Sequence, residues 1–171
     1  MAVTYPTTTA QATPWRLLLR TAVAAGTVAA VVEMVPVLGI QAGALGVPPS
    51  RVLQSIASGL LGRAAYDGGA VTVAAGTALH WLISCGAALT FAWAASRWHD
   101  LVRHPVPSGL AFGVLAFAVM TAVVVPFSAA AFPPNRDPAL MLLSIAIHMA
   151  FFGLPIALTT RRWLHRAGWE G

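Results

Sequence analysis

The stretch VTVAAGTALHWLISCGAALTFAWAASRW, residues 71–98, sets the architecture. From Val71 to Ser96 it contains no Asp, Glu, Lys or Arg, which is long enough to cross the roughly 30 Å hydrocarbon layer of a bilayer with some tilt. Its pattern predicts a transmembrane helix. Thr72, Gly76, His80, Ser84 and Ala88 recur every four residues with Thr77 beside them, so one ridge of the helix is small and polar and is expected to face protein, not lipid.

The same composition extends over the chain. Of 171 residues, 58% are hydrophobic and 9% charged, and the mean hydropathy is +0.76, outside the balance of a soluble domain. The net charge of +5 comes with ten arginines and no lysine. Those arginines flank apolar runs instead of sharing one face, so the expected partner is a lipid bilayer and no nucleic acid is expected. Cys85 is the single cysteine, so no intrachain disulfide can form.

The expected fold is all-α: a four-transmembrane-helix antiparallel bundle with one extra amphipathic helix on its outer face. Residues 1–14 read as a flexible tail, 15–163 as one membrane domain and 164–171 as a short basic tail. The spans fall at about 17–40, 71–98, 108–127 and 139–161. Residues 50–66 read as the amphipathic helix, with Ser50 as its cap. Leu53, Ile56, Ala57, Leu60, Leu61 and Ala64 would form its apolar side, and Arg51, Gln54, Ser55, Ser58 and Arg63 the other. Gly109 and Gly113 form a GxxxG pair that invites close approach of a neighbouring helix.

Arg16, Arg20, Arg97, Arg103, Arg161, Arg162 and Arg166 flank one side of the spans, against Arg51, Arg63 and Arg136 on the other. The positive-inside rule then predicts both termini in the cytoplasm and the amphipathic helix outside.

Depth counting gives the candidate site. Glu33 is 13 residues from Arg20, His148 is 13 from Arg161, and His80 is 17 from Arg97; at about 1.5 Å per residue these lie at one level. Thr121 falls at that level on the third span. An ionised carboxylate in hydrocarbon costs several kcal/mol or more, so Glu33 is expected to be protonated, paired or hydrated. Its candidate partners are His80 and His148, with Arg51 and Arg63 of the amphipathic helix as the other choice.

The cluster Glu33, Thr121, His80 and His148 supports two readings: binding of a small ligand or proton, with transport by an oligomer or larger complex, or a structural role that fixes helix register. A haem or metal protein ranks below both, since no HExxH or comparable spacing fixes a metal site, and no cofactor is expected. No catalytic triad or phosphate loop is present, so no enzymatic activity is expected.

RVLQSIASGLLG at residues 51–62, together with Gly68-Gly69, His80, VVVPFS at 123–128, and His148 with GLPIAL at 153–158, resembles a family of uncharacterised four-span bacterial inner-membrane proteins, and more distantly the YagU-like inner-membrane proteins. The resemblance covers most of residues 26–160. It implies an acidic residue in the first helix, where Glu33 replaces the more usual aspartate, and a location in the bacterial inner membrane. It implies no particular activity.

Overall fold

The computed structural model describes residues 14–130 and 137–168. The expected N-terminal tail lies outside them except for Pro14, as do residues 131–136 of the last turn. The described chain forms α1 (Trp15–Leu45), α2 (Pro49–Leu61), α3 (Gly69–Ala95), the short α4 (Asp100–Arg103), α5 (Pro105–Val124) and α6 (Pro138–Arg166). Helices α1, α3, α5 and α6 are each long and apolar enough to cross a membrane. The protein is an all-α four-helix membrane bundle.

Two helices outrun the sequence estimate. No proline follows Ile40 until Pro48, and Gly43 stays helical, so α1 runs on to Gly46, which adopts φ 65° and ends it by donating its N–H to the Gln41 carbonyl. At the other end of the chain α6 continues past Trp163 to Arg166, so the expected basic tail begins as helix.

With no hydrophobic force between helices in lipid, small residues let backbones touch. α1 crosses α3 where a Cβ on Gly26 would lie 2.5 Å from the Cys85 Cα. The predicted ridge of α3 is the face that packs: Thr72, Gly76, Ser84 and Ala88 are buried and His80 is half-buried. Thr77 is exposed and folds its hydroxyl back onto the Val73 carbonyl.

Gly109 and Gly113 of α5 meet α6 backbone to backbone. A Cβ on Gly113 would lie 2.5 Å from the Met149 Cα, and one on Gly109 would lie 2.8 Å from the Leu154 Cα. The facing part of α6, His148–Gly153, is wound as a π-helix, and Met120–Val124 of α5 is wound the same way. Each wide turn ends two residues before a proline, Pro155 or Pro126. A proline removes an amide and crowds the carbonyl four residues back, and the wider turn absorbs both effects.

The surface helix departs from the expected arrangement. α2 buries Val52, Gln54, Ala57 and Ser58, while Leu60 and Leu61 of its apolar side are 72% and 49% exposed. The packed side therefore carries Gln54 and Ser58 together with Val52 and Ala57, while Leu60 and Leu61 face outward. Gln54 Nε2 donates to the Thr72 hydroxyl at 3.3 Å and lies 3.4 Å from the Gly69 carbonyl, and the Leu53 carbonyl sits against Gly76. Beyond the crossing, the Gly59 carbonyl accepts from the Ala129 amide at 2.9 Å. Polar groups taken out of water need protein partners, whereas leucines facing lipid do not. Ser50 does not cap α2; Pro48 precedes the helix and Pro49 takes its first position.

Candidate functional site

Glu33 sits on the buried face of α1, after Ala22, Ala25, Gly26, Ala29 and Ala30. These small side chains bring α1 close to both of its neighbours and leave the carboxyl 5% exposed. One oxygen, Oε1, lies 3.4 Å from His148 Nε2 of α6, and the other, Oε2, lies 3.8 Å from His80 Nε2 of α3. Three helices therefore meet at one carboxyl group, as the depth count predicted.

The other contacts of the two rings assign their hydrogens. His148 Nδ1 is 2.9 Å from the Ser144 carbonyl, one turn earlier on α6. A carbonyl only accepts, so Nδ1 carries the hydrogen and a neutral His148 turns a lone pair toward Glu33. His80 Nε2 is 3.3 Å from the Ala30 carbonyl, so that nitrogen carries a hydrogen, with Glu33 Oε2 further off at 3.8 Å. Two lone pairs cannot face each other stably in a buried site. One proton must therefore lie between Glu33 and His148, either on the acid or as an imidazolium paired with a carboxylate. Both forms leave the trio without net charge, the arrangement a low-dielectric interior favours.

Packing fixes the ring that shares this proton. His148 meets Phe117 edge-on at 5.3 Å between centroids and Phe152 at 6.0 Å. It also opens the π-turn that rests on Gly113. π-turns of this kind recur at functional sites.

A cavity of about 230 Å³ reaches the site from the end of the bundle opposite the seven arginines. It lies between the last turns of α1 and the first turns of α6, and Gln41, Ser144 and His148 are its polar wall residues. At roughly 30 Å³ per water it has room for several. His148 therefore touches both Glu33 and the cavity, while Glu33 stays behind it.

Three expected participants are elsewhere. Thr121 is exposed on the π-turn of α5, its hydroxyl donating to the Phe117 carbonyl at 2.8 Å. Arg51 lies over the Tyr66 ring and donates to the Tyr66 carbonyl at 3.2 Å. Arg63 lines a separate polar hollow with Arg51, Tyr66 and Asp67. The wide turn rotates Thr121 off the packed face, and α2 with the 3-10 turn Gly62–Tyr66 after it carries the two arginines away from α1. Glu33 pairs with imidazoles, not with arginine.

Gln41 went unnoticed in the sequence, although its place two helical turns beyond Glu33 puts it on the same face. Each histidine faces its own carboxylate oxygen. Among the described residues no group of three His, Cys, Asp or Glu side chains is arranged to hold a metal ion.

No protein-family model, curated protein or solved structure matches the chain.

Proposed function

We propose that this chain is an inner-membrane protein of a bacterium, with both termini in the cytoplasm, that binds and exchanges a single proton at the Glu33–His148 pair. His80, held by the Ala30 carbonyl, stands 3.8 Å from the second carboxylate oxygen as its polar neighbour. The cavity beside His148 gives the pair a path to the outer side, and Gln41 and Ser144 offer hydrogen bonds to water or to a small polar ligand within it. Four helices enclose little volume, so transport would be the work of an oligomer or a larger membrane complex.

One observation carries this reading: the same imidazole lies 3.4 Å from a buried acid and forms part of the wall of an open cavity. The seven-to-three arginine bias supports the orientation, and the resemblance to four-span bacterial proteins supports the inner membrane.

The test is proton flux in vesicles that hold the purified protein under an imposed pH gradient. Flux that Glu33→Gln and His148→Ala each abolish, in variants that stay folded, supports the proposal. Absence of flux in the unaltered protein, together with no proton exchange at the site, leaves a purely structural clamp between α1, α3 and α6.

A further inference from the structure

The arginine-rich end of the bundle carries a second feature, independent of Glu33. Between the start of α1 and the end of α6 lies a hollow of about 250 Å³, with Arg20, Arg166 and Trp163 in its wall. A shallow groove adjoins it, sharing Arg20 and Trp163 and continuing along α1 past Val23, Ala24 and Val28. From Arg20 to Val28 the groove runs along the helix for about 12 Å. Its one hydroxyl, Thr27, already accepts from Trp81 Nε1 at 2.8 Å, and past Arg20 the α1 side of the groove is otherwise apolar.

Neither Arg20 nor Arg166 has a hydrogen bond or an ion pair among the described residues. Two exposed guanidiniums, without a carboxylate partner among the described residues, thus stand at the head of an apolar trough. Trp163 lies between the two, a residue type that settles at the headgroup level.

We propose that this is a binding site for an anionic phospholipid, its phosphate held by Arg20 and Arg166 and one acyl chain laid along the Val23–Val28 face of α1. Guanidinium matches phosphate oxygens in a bidentate manner. Basic pockets between membrane helices on the cytoplasmic side suit such headgroups. The second positive charge favours an anionic lipid over a zwitterionic one, whose ammonium group would meet the same arginines.

The test uses the full chain, delipidated in mild detergent, and native mass spectrometry with phosphatidylglycerol, phosphatidylcholine or inorganic phosphate as the probe. Phosphatidylglycerol is expected to bind about tenfold or more tightly than phosphatidylcholine. Arg20→Gln with Arg166→Gln should remove that preference. Arg161→Gln with Arg162→Gln, which takes away equal charge outside the hollow, should keep most of it. Ala24→Phe fills the groove without altering charge and should also weaken phosphatidylglycerol binding. Equal binding of the two lipids, or equal loss from both arginine pairs, overturns the proposal. So does saturation by inorganic phosphate with Ala24→Phe silent, which would mark a free-anion site. Unchanged thermal transitions in the variants keep these outcomes distinct from misfolding.

Discussion

Replacing Glu33 by glutamine and by leucine separates its chemistry from its packing. Glutamine has almost the same shape. Its amide can donate to the His148 lone pair across the 3.4 Å gap, while its carbonyl stays 3.8 Å from His80 Nε2, which keeps its bond to the Ala30 carbonyl. Every polar group of the trio then keeps a partner, and the cost is the difference between a charge-assisted and a neutral hydrogen bond, about 1 kcal/mol. Leucine fills the space but leaves His148 Nε2 and the His80 hydrogen facing hydrocarbon. His80 retains the Ala30 carbonyl, so one group is orphaned outright, at about 1–3 kcal/mol. Chemical denaturation in bilayer-mimetic micelles should therefore rank the unaltered chain just above Glu33→Gln, with Glu33→Leu clearly lowest. Infrared difference spectra across a pH step should show a carboxylic acid signal from the buried site that is missing in Glu33→Gln. Equal destabilisation by the two substitutions would refute the proposed hydrogen assignment.

Further predictions concern packing. Gly113→Ala drives a methyl into the backbone of the π-turn, 2.5 Å from the Met149 Cα; it should cost about 1–3 kcal/mol and shift the His148 ring resonances. Gly39→Ala, in the same class but with nothing within 4 Å of the added methyl, should be neutral or stabilising by about 0.5–1 kcal/mol. Thr21 and Thr160 are fully buried with hydroxyls that have no hydrogen-bond partner. Valine at either position should raise stability by about 1 kcal/mol in the same denaturation assay. A spin label at Leu60 should be more accessible to oxygen than to a polar nickel reagent, since the apolar face of α2 points outward. The opposite accessibility would mean that α2 lies in water.

The sequence disclosed helices more readily than rotations. Apolar runs without charge located α1, α3, α5 and α6, because spanning a bilayer leaves the backbone no other satisfied conformation. The four-residue recurrence from Thr72 to Ala88 and the Gly109–Gly113 pair identified contact faces, because close approach requires small side chains whatever the partner. Counting from flanking arginines placed Glu33, His80 and His148 at one depth, since helical rise is nearly constant.

That count could not give azimuth. Thr121 shared the level but not the face, because the π-turn at Met120–Val124 adds a residue to one turn and so rotates the side chains within and beyond it. The packed face of α2 was out of reach for another reason. Its periodicity gave two faces, but which one meets protein depends on whether the far side contacts water or lipid, and periodicity carries no such information. Gln54 decides it by reaching the Thr72 hydroxyl of α3, with Ser58 buried one turn further on. The cavity beside His148 was likewise beyond a one-dimensional reading, since it arises where α1 and α6 separate.

Solid-state magnetic resonance on the protein in lipid bilayers, with labelled glutamate and histidine, reads the shared proton and its three-helix setting in one experiment. The Glu33 side-chain carboxyl carbon should couple to Nε2 of both His80 and His148, and a proton should reside on His148 Nδ1. Coupling to neither ring, or a neutral His148 with its hydrogen on Nε2 and Nδ1 bare, would contradict the proton-sharing pair.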